Sequence, residues 1–219
     1  MQLACELSLI DLMMVGYEFC GGYRLDKEND PEQGFRKEPA LTSVAKLNSF
    51  VARATGLKGC KNARKALRYI ADGADSPMET ALTLLLCLPY RHGGYGFALP
   101  RLNYHIEVDL PAGKQTYRGD LYWPKERVDI EYDSDTYHAT TERINRDATR
   151  RTHLSLAGVS VITVTRTQIM NVARMRVVAE LLSKKLKKRL RYSPEFILRQ
   201  FELRKQLLYF CIRKRRSPG

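Results

Sequence analysis

Acid is what this 219-residue chain has least of among its charges: 24 aspartates and glutamates stand against 37 lysines and arginines, a formal charge of +13. That excess implies a polyanionic partner, either nucleic acid or an anionic membrane face. Cysteine is sparse too. The five (Cys5, Cys20, Cys60, Cys87, Cys211) are odd in number, scattered, and form no C-x-x-C pair. Neither a disulfide framework nor a cysteine zinc site is expected from that spacing, and a reducing cytoplasm is the expected setting. Long apolar runs are missing: the greasiest stretch, Ala81 to Leu88, falls far short of the roughly 20 residues that a bilayer span needs, so no integral membrane association is expected. The first residues lack a basic n-region, so no signal peptide is expected. There is no internal repeat. What is present is an apolar share of 44%, enough to build a packed core.

The charge is unevenly placed. From Lys184 onward there are 13 basic and two acidic residues, or +11, which leaves only +2 for the preceding 183 residues.

Local patterns divide the chain into three parts: residues 1–75, mostly helical; a core over 76–183; and a basic helical extension over 184–219. The stretch to Tyr23 has no clear period and reads as helix or strand. Residues 26–39, polar with two prolines and a glycine, read as loop. Thr42 or Ser43 caps a helix whose apolar face takes in Val44, Leu47, Phe50 and Val51, and a second helix is expected over 62–71, before Asp72-Gly73. Ser76-Pro77-Met78-Glu79 is a helix start: serine caps, proline occupies the first turn, and glutamate stands at the capping-box position. That helix runs to about Leu88. The stretch from Gly93 to Gly96 reads as a turn, since no P-loop lysine follows. Strands are expected over 104–110, 117–123 and 127–133, the last two forming a hairpin around Pro124-Lys125-Glu126. A polar, basic surface helix follows over 141–156. Beyond Gly158, the β-branched run from Val159 to Thr165 reads as a buried strand. One helix from Thr167 to Lys188 and another from Ser193 to Ile212 complete the chain. The order predicts an α/β fold with a sheet flanked by helices.

The informative segment runs from Arg118 to Asp133. In a strand, Asp129, Glu131 and Asp133 share one face, while Val128, Ile130 and Tyr132 share the other. If Trp123 pairs with Val128, Asp120 falls opposite Glu131. Two carboxylates at about 4 Å repel by roughly 4 kcal/mol at an effective dielectric of 20. A shared proton, a basic side chain or a divalent cation must offset that. Convergent carboxylates suit a hard cation such as Mg²⁺ or Mn²⁺; the alternative is a solvated strand face neutralised by nearby lysines and arginines. His92, His105 and His153 do not stand at zinc-ligand spacing.

These residues carry a resemblance. Asp120-Leu121-Tyr122-Trp123, Ile130-Glu131-Tyr132-Asp133, His138, the helix with Asp147 and Arg150-Arg151, and the run from Leu156 to Thr165 resemble the PD-(D/E)-x-K nuclease superfamily. The closest branch is the endonuclease-like domain related to very-short-patch repair enzymes. The likeness covers residues 76–183 and implies a restriction-endonuclease-like core of helix, three strands, helix and strand. It also implies metal-dependent hydrolysis of phosphodiester bonds, with DNA as partner and Mg²⁺ (or Mn²⁺) as cofactor. By position, Glu79 matches the helical glutamate, Asp120 the central metal-binding aspartate and Glu131 the first acid of the (D/E)-x-K pair. Asp133 stands where the superfamily's lysine is usual. The very-short-patch branch also lacks that lysine and recruits a nearby histidine, for which His138 is the candidate. The branch continues Asp-Gly after its strand, whereas this chain has Asp133-Ser134. Each residue also has a plainer reading: Glu79 as a helix cap, His138 as a surface residue, Arg150 and Arg151 as solvated charges.

In the extension, Lys184, Lys185, Lys187, Lys188 and Arg189 form the densest basic run. Phe196, Ile197, Phe201, Leu203, Leu207, Leu208, Phe210 and Ile212 supply an apolar stripe to the last helix. An apolar side for docking and a cationic side for phosphates fit nucleic-acid binding. A membrane-surface helix has the same description, but the acidic cluster favours nucleic acid. Two functions remain in play: a metal-dependent endonuclease, and a catalytically degenerate nucleic-acid-binding regulator or antitoxin-like module on the same fold.

Overall fold

The computed structural model describes residues 1–26, 34–111, 113–133 and 141–212, with only the backbone described at 143 and 209–212. The chain folds into two compact units, Met1–Leu99 with Arg191–Gly219, and Pro100–Leu190. Architecture is mixed α/β, with a four-stranded sheet in the second unit and a two-stranded ribbon in the first.

The first unit is mainly helical: α1 (Gln2–Glu6), α2 (Leu9–Cys20), α3 (Val44–Arg53), α4 (Cys60–Leu67), α5 (Pro77–Cys87) and α9 (Pro194–Ile212), with strands β1 (Tyr23–Leu25) and β2 (Phe35–Lys37). The opening stretch is thus helical. In α2, Ser8 accepts from the Asp11 amide as N-cap, and Ile10, Met13, Met14 and Tyr17 recur at helical spacing on the buried side. Ser43 caps α3 as expected. α4 begins two residues earlier than the sequence suggests, because Gly59 takes φ 85° and turns the chain into it. Part of the expected loop over 26–39 is strand, since Phe35–Lys37 pairs antiparallel with Tyr23–Leu25. α5 has no polar face: every residue from Met78 to Cys87 is buried. The glycines after it serve close packing, as expected of a turn. A Cβ on Gly94 would collide with the Leu88 carbonyl, and one on Gly93 with the backbone of Arg199.

On α9, Ser193 accepts from the Phe196 amide at 3.2 Å. Here the apolar stripe splits. Phe196, Leu203, Leu207 and Leu208 are buried, while Ile197 and Phe201 are exposed. The inner face instead takes in Gln200 and Arg204, because helical periodicity from Phe196 passes through those positions. The side chains of Phe210 and Ile212 lie outside the described residues.

In the second unit, β3 (Arg101–Leu110), β4 (Gly113–Trp123), β5 (Val128–Asp133) and β6 (Ser160–Thr165) lie in the order β3-β4-β5-β6. The hairpin register is the expected one: Trp123 pairs with Val128, Tyr122 with Asp129 and Leu121 with Ile130. The loop between them closes on Arg127 at φ 52°. α6 (Thr141–Leu156), with the bounds that the sequence suggests, carries the chain across so that β6 runs parallel to β5. Leu154 of α6 packs with Ile106, Val108, Tyr122 and Val159 over one face of the sheet. The single helix expected over 167–188 is two, α7 (Arg166–Met170) and α8 (Val172–Lys185). Asn171 ends the first, and its side chain accepts from the Arg174 amide to cap the second. Among the described residues no helix is long and apolar enough to cross a membrane.

Candidate active site

Both ladders on β4 break at Asp120. β3 pairs with β4 through Leu102↔Leu121 and Tyr104↔Gly119 at constant register, with Asn103 between them at φ 48°. β4 pairs with β5 only as far as Leu121↔Ile130. One step further, where Glu131 was expected to face Asp120 across a ladder, the Asp120 carboxylate takes over the backbone's role and accepts from the Tyr132 amide at 2.8 Å. A side chain has replaced a carbonyl, which anchors Asp120 at the margin of β5.

Asp129 is fully buried on the face shared with Tyr122, and among the described residues no hydrogen-bond donor reaches either of its carboxylate oxygens. Its neighbours are acids. Burial first, then the charges of Glu131 and Asp120, push the Asp129 carboxyl up to about 8, and Arg150 opposes them. A proton held between Asp129 and Glu131 is one way to relieve the pair. Glu131 is also raised, chiefly by burial and then by Asp120, against Arg150 and Arg151. Arg150 of α6 makes an ion pair with Glu131 and donates to the Arg118 carbonyl. So Asp120, Asp129 and Glu131 form one electrostatic cluster with Arg150 as its bound cation. Asp129 was not among the expected site residues, although alternation had put it on the face of Glu131.

Gly119 is the floor of this cluster. A Cβ there would lie 2.6 Å from both Asp129 carboxylate oxygens. Gly119→Ala is therefore expected to destabilise the protein by roughly 1–3 kcal/mol, the range for forcing a methyl into a packed site. A urea midpoint unchanged from wild type would contradict this packing.

The other expected residues are placed as follows. Glu79 belongs to the first unit, where its oxygens accept from the Ser76 hydroxyl at 2.8 Å and the Asp75 amide at 2.9 Å, so it caps α5. Asp133 stands exposed at the end of β5, beside Thr165 of β6. His138 lies outside the described residues. Arg151 is exposed on α6, yet its charge reaches Glu131. Lys184 and Lys185 close α8, and Lys187 at φ 50° turns the chain away. Of this run, Lys184, Lys185, Lys187 and Arg189 are exposed and Lys188 is half-buried.

Among the described residues, no three His, Cys, Asp or Glu side chains are grouped so as to hold a metal ion. Mg²⁺ commonly needs only one or two carboxylates, with water and phosphate completing its shell. The oxygen donors of Asp120 and Glu131, beside the undonated oxygens of Asp129, fit that demand in kind.

Over 118 residues, 54% of the chain, the sequence is 30% identical to the uncharacterized protein Rv2248 of Mycobacterium tuberculosis strain H37Rv. It is equally similar to the uncharacterized protein MT2308 of Mycobacterium tuberculosis strain CDC 1551 / Oshkosh. The match spans about two-fifths (40%) of the length of each relative. No protein-family model matches the chain, and no solved structure matches it.

Proposed function

We propose that the protein is a metal-dependent endonuclease that hydrolyses phosphodiester bonds in DNA on a restriction-endonuclease-like core. The observation that carries this reading is the cluster of Asp120, Asp129 and Glu131, crowded and mutually repelling, with Arg150 as counter-ion. Nothing in packing calls for three acids held side by side, whereas a phosphate-cleaving site does. The succession of α5, β3 to β5, α6 and β6 follows the order that the sequence resemblance implies. Asp120 and Glu131 would hold Mg²⁺ or Mn²⁺. When bound, such a cation supplies Lewis-acid stabilisation of charge on the phosphoryl oxygens and an acidified water. Asp129, with its raised carboxyl, holds a proton beside Glu131 at neutral pH. Arg151 and the run from Lys184 to Arg189 would take flanking phosphates. His138 is the remaining candidate for moving a proton at the leaving oxygen.

The test is cleavage of supercoiled plasmid by the full chain with Mg²⁺ or Mn²⁺, with and without EDTA. Asp120→Ala and Glu131→Ala are each expected to lower the rate at least about 100-fold, since losing a mere outer-shell partner already costs 10–100-fold. Cutting by the double variant at the wild-type rate excludes the proposal. The grip of Arg150 on Glu131 favours a second reading, a nucleic-acid-binding regulator or antitoxin-like module whose site no longer takes a metal. Salt-sensitive DNA binding without cutting in either metal selects it.

A further inference from the structure

The first unit holds a separate basic cleft. It encloses about 340 Å³ and is lined by Leu9, Lys65, Arg68, Tyr69, Arg91 and His92, none of them acidic. Lys65, Arg68 and Arg91 are exposed. Arg91 is held in place, donating to the Tyr69 hydroxyl at 3.4 Å and to His92 Nε2 at 3.2 Å. Lys65 and Arg68 make no ion pair among the described residues, nor does Arg199 on α9, whose charge reaches the same imidazole.

Cations that converge without a counter-ion repel one another, and an anion entering among them relieves that repulsion. We propose that this cleft binds a phosphate of a nucleic-acid backbone through Lys65, Arg68 and Arg91, with His92 as a further donor. A backbone phosphate is favoured over a lipid surface because the cations line a recess and not a flat face. The imidazole gives an internal reporter. Burial, then Arg91, Arg199 and Lys65, hold His92 below its ordinary value; the negative charge of a bound phosphate opposes those cations and moves it up. This inference stands whether or not the carboxylate cluster cuts.

The experiment uses the full chain in EDTA, so that no cleavage intervenes. Binding of a fluorescein-labelled 20-nucleotide DNA is followed by anisotropy across a salt series. Lys65→Glu and Arg68→Glu are each expected to weaken binding roughly tenfold, the scale of one charge-assisted hydrogen bond. The slope of log K against log salt should also become shallower by about one for each cation removed. Lys46→Glu on α3 carries the same change of charge and is expected to keep the wild-type slope. Lys46, Lys65 and Arg68 are all exposed, so matching thermal melts will verify folding. In a second arm, ¹⁵N-histidine spectra with inorganic phosphate are expected to move the His92 titration upward by about half a unit or more. The proposal falls if Lys65→Glu and Arg68→Glu bind DNA like Lys46→Glu, or if His92 ignores phosphate. It falls equally if those variants lose binding to phosphatidylserine vesicles while their DNA binding stays intact, which would make the cleft a membrane contact.

Discussion

Asp129→Asn is expected to make the protein more stable at pH 8 than the wild type, and to remove most of the pH dependence between pH 4 and pH 8. The Asp129 carboxyl sits at about 8 in the folded state against an ordinary 3.8. Its folded value is raised, so the native state binds the extra proton, and stability falls as pH climbs from near 4 towards 8. Above that window the penalty is constant; below it there is none. The full cost at pH 8 has a ceiling on the order of 5 kcal/mol. Glu131, raised in the same direction, adds to the slope. Asparagine keeps the shape, loses the charge, and offers its amide protons to the neighbouring carboxylates. Trp123, the only tryptophan and a buried one, reports unfolding in urea. Parallel stability profiles for the two proteins at pH 5 and pH 8 would show that the carboxylate carries no such cost.

Arg150→Met is expected to act in the opposite sense. It leaves Glu131 beside two further acids with only the charge of the exposed Arg151 to offset them, and removes the guanidinium donor from the Arg118 carbonyl. Breaking a fully buried pair costs about 3–5 kcal/mol. Here the side chains keep 25% and 16% of their exposure, so roughly 2–3 kcal/mol is the expected loss at pH 7. Acidification to pH 5 should recover part of it, as the carboxylates accept protons. Magnesium supplies the sharper reading. A divalent cation that takes up the vacated place restores about 2.7 kcal/mol at 100 times its dissociation constant. Wild type, already holding a guanidinium there, should gain less. Equal responses of the two proteins to Mg²⁺ would argue that the cluster is no cation site.

The sequence was most legible where chemistry is local. Ser76-Pro77-Met78-Glu79 announced α5 because capping is decided within one turn, and the Trp123↔Val128 register followed from the shortest loop. The bounds of α6 were readable for the same reason. The break at Asn171 was hidden, since an asparagine inside an amphipathic pattern gives no sign that its side chain will cap the next helix. On α9 the inner face was misjudged because burial of Gln200 and Arg204 depends on what packs there. Alternation put Asp129 on the face of Glu131, but its dehydration depends on tertiary packing that alternation does not show. Gly119 was silent altogether, for its role is space that another side chain fills. The metal, nuclease and DNA-binding expectations remain proposals, to be decided by cleavage and binding.

The parallel pairing of β5 with β6 has a consequence for the order of assembly. β4 and β5 meet across a short loop and can join early, with their carboxylates still in water. Val128 and Ser160, in contrast, lie 32 residues apart along the chain, and their pairing waits for α6 to cross over. Leu154 and Arg150 arrive on that same helix. The arginine that lessens the charge cost at Asp129 is thus delivered only with that late crossover.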